Sequence, residues 1–488
     1  MDTPALPPPD NTRDQAVLDK LSQIRDQLVL LKTDRTTYLR SQEVIPLYDE
    51  TLQQVKQLED LGFVDGKPQT QLAHVLDSCF RILSLCFLTI GRNNEAPAVY
   101  APTTIILRLL DHLAESDLYS AKDLEAMEET LNKLAVNVSR DMACPRPYVT
   151  LLSRRIELCR TSLAALQERL KRLEDPLPEI YERLISIIRT ISRANTRPTV
   201  STSEITELQK KAQEIADQRK DGNFVTEDGG VPAGNDIVND VLARCLAWAE
   251  VSLERKGAAS IPDRFRALYD KLIRVRNHLE KLSVTHAWAL READLYDYHR
   301  TLDRIDDMRV NGNWVDEEGN PAESYVRRML LYLIRRSYGF VFSLMIASQP
   351  VSEALLPVYN QLRTLKRCLT EVMDNGSIRT VREVYPYSMK LNSIDNMRVD
   401  GKFMVGDDIP EGQGRVTELL EDCFDLSREL KLAAEAAEAQ ASSTDLESRT
   451  ASEVESDEEE PEEEEEEEDD ESGGAPVMKP HNEVPIHA

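Results

Sequence analysis

The sequence predicts an all-α protein built of tandem helical-bundle repeats. About four helix-helix-clip-helix units, closed by small Asp/Asn-Gly hairpins, precede a disordered acidic C-terminal tail. Three observations predict this. One short phrase occurs four times, centred on Asp65-Gly66, Asp221-Gly222, Asn311-Gly312 and Asp400-Gly401, each time between two amphipathic stretches. A second, apolar phrase stands 47, 40, 42 and 41 residues upstream of that Asp or Asn. Near-constant spacing across two helices marks a structural repeat. Finally, residues 453–471 hold sixteen Asp or Glu and no Lys or Arg. Such a self-repelling run cannot repay the entropy of ordering.

Residues 1–12 lack a basic segment followed by an apolar run. They read as a disordered N-terminus, with neither a signal nor a transit peptide. Unit one (13–143) begins with Leu18, Leu21 and Ile24 on one helix and Val55, Leu58 and Leu61 on the next. Its third helix starts at Val75-Leu76 with Cys79 behind, and two extra helices follow over Thr103–Glu115 and Ala121–Arg140. Pro145 and Pro147 mark its end. Unit two (147–257) opens with a long helix over Tyr148–Leu173. It then repeats the pattern with Tyr181, Leu184 and Ile187, Ala212 and Ile215, and Val241-Leu242 with Cys245. Unit three (261–348) offers Tyr269, Leu272 and Val275, then Leu302, Ile305 and Met308, then Met329-Leu330 with Leu333. Unit four (352–441) offers Tyr359, Leu362 and Leu365, then Leu391, Ile394 and Met397, then Leu419-Leu420 with Cys423. Its last helix is expected to run to about Gln440, with a disordered tail over 442–488. Spacings of three and four place these side chains on one face of each helix.

Asp-Gly and Asn-Gly accept positive φ at successive positions, as the centre of a type I′ hairpin requires. Each copy therefore reads as a clip on the end of the second helix. Phe224, Trp314 and Phe403, just after the turn, are expected to plug the bundle end; the first copy has Pro68 there. The oxygen-rich flanks do not supply the alternating ligands and terminal Glu of an EF-hand.

The chain has 488 residues and a net charge of −28, of which the acidic run supplies more than half. Nothing in that balance predicts direct nucleic-acid binding. The most apolar windows read as buried helices: Cys79–Ile90 is short for a bilayer, and Met329–Ala347 carries Arg335 and Arg336 near its middle. Seven cysteines form no C-x-x-C pair, and three of them share one repeat position with Leu333. They read as reduced core residues of a cytoplasmic, or also nuclear, protein. Catalytic signatures for zinc hydrolysis, acyl transfer and dinucleotide binding are absent from the sequence. The seven histidines are scattered and read as surface or capping residues. No catalytic residue, cofactor or metal is expected.

In the tail, Thr450, Ser452 and Ser456 each have Glu three residues on, the pattern an acid-directed kinase prefers. They are the candidate phosphorylation sites.

The four-copy layout, the Met-Arg-Val-[Asp/Asn]-Gly phrase at 308–312 and 397–401, and the acidic C-terminus resemble a fungal family of uncharacterised proteins with a repeated helical domain of unknown function. The resemblance covers about Val17 to Lys431. It implies a cytoplasmic protein without assigned catalytic residues, loosely connected with protein turnover and stress responses. The expected function is a non-enzymatic scaffold or adaptor that binds other proteins in grooves between units. The alternatives are a chaperone that captures histones or other basic proteins through the tail, and an enzyme housed in a helical bundle.

Overall fold

A computed structural model describes residues 7–8, 12–58, 61–64, 67–141, 144–197, 200–255, 257–376, 378 and 380–453. Asp65, Gly66 and Ser456 lie outside them, as does the tail from residue 454. Among the described residues the chain is all-α, with two small two-stranded hairpins.

The three-helix unit appears four times. Unit one packs α1 (Thr12–Thr33), α2 (Ser41–Val55) and α3 (Gln71–Thr89). Unit two packs α7 (Leu177–Asn195), α8 (Thr202–Ala216) and α9 (Asn235–Glu254). Unit three is α10 (Asp263–Ala289), α11 (Leu295–Asp307) and α12 (Ser324–Ile346), and unit four is α13 (Leu356–Asn375), α14 (Val381–Asp395) and α15 (Gln413–Glu453). In every unit the first and third helices pack against each other. The reason is in the stripes: Leu21 and Ile24 are fully buried with Leu76 and Cys79, as are Leu272 with Met329 and Leu333. Cys245 and Cys423 are equally buried, so the repeat-position cysteines are small core residues.

Between units one and two lie α4 (Tyr100–Ser116), α5 (Ala121–Arg140) and α6 (Arg146–Lys171). The long α6, grouped with unit two by its position in the sequence, packs on α4 and α5. A capping box starts α5: Ser120 Oγ accepts from the Asp123 N–H, and Asp123 returns the bond to the Ser120 N–H. The last helix continues to Glu453, further than the expected end near Gln440. The added turns, residues 441–453, are rich in Ser and Thr and continue the helix begun by the Ala- and Glu-rich stretch before them. Thr450 and Ser452 lie on that extension.

Units one to three share one apolar core, from Val17 to Met345. Unit four has its own, from Val351 to Ala434. Two helices, α3 and α12, are long and apolar enough to cross a membrane, and most of each is buried within the protein.

Candidate functional site

The clips were the first features to test. Asp221, Asn311 and Asp400 all have φ of 50°, followed by Gly222, Gly312 and Gly401 at 81°, 74° and 76°. Two successive positive φ angles make each a type I′ turn. Lys220 and Asn223 exchange backbone hydrogen bonds of 2.8 and 3.0 Å across the turn, and Val310 and Asn313 do the same. The fourth clip is a hairpin of β3 (Arg398–Val399) and β4 (Lys402–Phe403). In the first, β1 (Phe63–Val64) pairs with β2 (Lys67–Pro68) around the undescribed Asp65 and Gly66. Phe224, Trp314 and Phe403 are buried, and Trp314 Nε1 donates to the Ile305 carbonyl at 2.8 Å. Phe224 and Trp314 belong to the core of units one to three and Phe403 to that of unit four.

Two sequence expectations are corrected here. Met308 and Met397, assigned to the buried stripe, are about half exposed. α11 ends at Asp307 and α14 at Asp395, so the three-residue spacing continues where the helical face does not. His112 and His299, read as surface or capping residues, are buried. They belong to an ion network where α3 and α4 meet α11 and α12. Arg81 binds both Asp77 and Asp303. Tyr338 donates to Asp303 at 2.7 Å, and Tyr100 to Asp77 at 2.8 Å. Arg108 reaches Asp303, Asp306 and Asp307, while His112 Nε2 lies 3.2 Å from Asp306. Burial alone would raise the Asp303 pKa, but His299, Arg81 and Arg108 hold its carboxyl well below the usual range. Burial pushes the His299 pKa down to about 4, so its ring is neutral at pH 7. The network ties unit one and α4 to unit three.

Beside it opens a cleft of about 880 Å³, walled by α4 and α5, by α7 and α9 of unit two, and by α12 of unit three. Its lining is cationic on a chain that is acidic overall: Lys122, Arg189, Arg193, Arg244, Arg327, Arg328, Arg335 and Arg336 face Glu115, Asp123 and Glu182. All three carboxylates are already engaged. Glu115 pairs with Arg309 at 2.8 Å and Arg327 at 3.3 Å, Asp123 with Arg189, and Glu182 accepts from the Ala121 N–H. Burial opposes ionisation of Glu115 and Asp123, yet their arginine partners keep both carboxyls below the ordinary range.

Four arginines have no carboxylate partner among the described residues. Arg244 donates to the Ser116 carbonyl, and Arg335 Nε to its own helix at the Leu331 carbonyl. Arg328 stacks over Trp248 with 5.4 Å to the ring centroid, and Arg336 over Phe340 at 4.2 Å. Burial, and the positive charges of Arg244, Arg309 and Arg189, lower the Arg335 pKa to about 10 against the pull of Glu115. Burial, Arg244 and Arg327 likewise lower that of Arg328. Arg328 and Arg336 are exposed and Arg244 and Arg335 half-buried, so all four can be approached from solvent.

In the sequence alone, Arg335 and Arg336 stand out only as charges inside an apolar window. The signal that would have found the site is the face of α12 bearing Arg328, Tyr332, Arg335 and Gly339, at spacings of four, three and four. The partners from α5, α7 and α9 were beyond any local pattern. Among the described residues, no group of three or more His, Cys, Asp or Glu is placed to hold a metal ion. Burial pushes the Cys79 and Cys245 thiols up to about 12 and Cys423 to about 11, so these are poor nucleophiles.

Residues 170–292 and 349–451 match a family described as "Protein of unknown function (DUF2408)". The first match spans unit two and the opening helix of unit three; the second spans unit four. A CUB1 family protein of Schizosaccharomyces pombe is 36% identical over 438 residues, covering 88% of this chain and 94% of its own length. The "Cu(2+) suppressing and bleomycin sensitive protein 1" of Saccharomyces cerevisiae is 31% identical over 510 residues, covering 88% of this chain and 92% of its own. No solved structure matches. With relatives of that identity aligned along nearly their whole length, the chain belongs to this fungal CUB1 family, whose repeated domain has no assigned function.

Proposed function

We propose that the protein is a non-enzymatic helical scaffold whose working site is the arginine cleft between units two and three and the α4–α5 pair that follows unit one, where it captures an anionic group. The observation that carries this is the set of four cleft arginines without a carboxylate partner among the described residues. An anion in the cleft would meet charges that no carboxylate already neutralises. The lining favours binding over catalysis. It holds no His or Cys, its carboxylates are tied into ion pairs or hydrogen bonds, and guanidinium groups do not exchange protons at neutral pH. The setting we propose is the cytoplasm or nucleus, supported by seven cysteines that are all free. The Saccharomyces cerevisiae relative's name speaks of Cu(2+) and bleomycin and specifies no anion.

Thermal unfolding in sodium sulfate and in sodium chloride at equal ionic strength tests the reading. Sulfate is expected to raise the Tm of the wild type more than chloride does. The double variant Arg328→Met with Arg335→Met should show a smaller difference, the part left being the general stabilising effect of sulfate. Equal sulfate responses in the two proteins would overturn it.

A further inference from the structure

Resting on the anion-binding reading of the cleft, we propose that its ligand is a small molecule bearing two or more phosphate groups, which staples units two and three to the α4–α5 pair that follows unit one. Size, charge density and one glycine point to it.

A volume of about 880 Å³ is that of a small-molecule site. The walls come from three sides, so a ligand within reach of Arg244 on α9 and of Arg328 and Arg335 on α12 bridges units two and three. The α4–α5 wall, with Lys122, ties it to the insertion after unit one. Direct packing between α7 and α12 is sparse, and a ligand in the cleft would supply what the apolar contacts there do not.

Charge density decides between phosphate and carboxylate. Eight cations stand against three carboxylates that are already engaged. A carboxylate brings one charge on two oxygens. A phosphate brings up to two charges on three oxygens, in the geometry that the guanidinium fork donates to as a pair. The uncommitted cations are mainly arginines, the side chain suited to that recognition.

Gly339 is the independent mark. It sits inside α12 on the cleft wall, where glycine weakens a helix relative to alanine. A Cβ at this position would meet nothing within 4 Å. Packing therefore does not demand the glycine. What it provides is bare backbone facing the cleft, room for a ligand to approach closely.

The test uses the full-length protein, calorimetry and thermal shift, with inorganic tripolyphosphate and a ten-residue glutamate peptide as probes. Tripolyphosphate is expected to raise Tm and to bind at least tenfold more tightly than the peptide. Arg328→Gln with Arg335→Gln should lose at least tenfold in affinity. Gly339→Leu should keep its circular dichroism and Tm without ligand, because space is open there, and lose tripolyphosphate binding. If the peptide binds in an Arg335-dependent way and tripolyphosphate does not, the phosphate class falls while the anion-binding reading stands. If neither probe binds, both fall. If tripolyphosphate binds wild type and all variants alike, the cleft is not its site and the proposal is overturned.

Discussion

Glu292, in the short turn before α11, has its carboxyl buried at 6 % exposure with Ser348 as hydrogen-bond partner. Burial raises its pKa to about 7 from an ordinary 4.5, with Glu353 and Asp294 adding to the shift. A folded-state pKa above the unfolded one contributes stability that is complete below the unfolded value and is lost as pH rises through the folded one. Glu292→Gln, neutral throughout, should match the wild type near pH 5 and exceed it by roughly 1–3 kcal/mol at pH 8. Chemical denaturation across that range checks it; a difference independent of pH would contradict the buried, protonated carboxyl. The same scale holds Arg328 and Arg335 of the cleft, whose pKa values are lowered by burial and by neighbouring arginines. None of this was legible in the sequence. A pKa depends on which groups converge, and Glu292 shares no local pattern with Ser348.

At the scale of elements, the clip was legible because its cause is local. Positive φ at two successive residues selects Asp or Asn then Gly whatever surrounds them, and the aromatic residue after the turn is buried in all three copies that carry it. Trp314→Ala is expected to cost ~3–5 kcal/mol, through a lost ring and a lost hydrogen bond to Ile305. Met308→Ser, at a site about half exposed, should fall within about 0.5 kcal/mol of wild type. Urea melts of the two variants separate a plugging residue from an apolar residue that merely follows the helix. The misplacement of Met308 and Met397 has a simple physical reason: periodicity reports a face only while the backbone remains helical. The extension of α15 to Glu453 is the converse case, where the helix continues past the Ala- and Glu-rich stretch into Ser- and Thr-rich sequence.

For the whole molecule, the division of the core matters most. Units one to three bury a common interior, while unit four has a separate one. The two bodies meet largely through polar contacts: Arg92 with Glu411 at 2.8 Å, Arg291 with Glu353 at 3.1 Å, and Tyr38 donating to Asp408 at 3.0 Å. Their backbones also come close at Gly91, φ 84°, where a Cβ would stand 2.6 Å from the Ser352 nitrogen. Such a joint is weaker than a shared apolar core, so unfolding should proceed in two steps. Amides of α13 and α14 are expected to exchange at a lower opening free energy than those of α3 and α12. Exchange at one common free energy throughout would show a single cooperative body.

The sequence by itself determined the repeat, its three helices, the type I′ clips and the small buried cysteines. Each follows from residues a few positions apart, through helical periodicity, turn stereochemistry or volume. Only the tertiary structure decided that α6 joins α4 and α5, that three units merge their cores and the fourth does not, and that Lys122 of α5 and arginines from α7, α9 and α12 line one cleft. These depend on the electrostatics and packing of residues up to about two hundred positions apart, and an amphipathic helix specifies which face is buried but not what covers it.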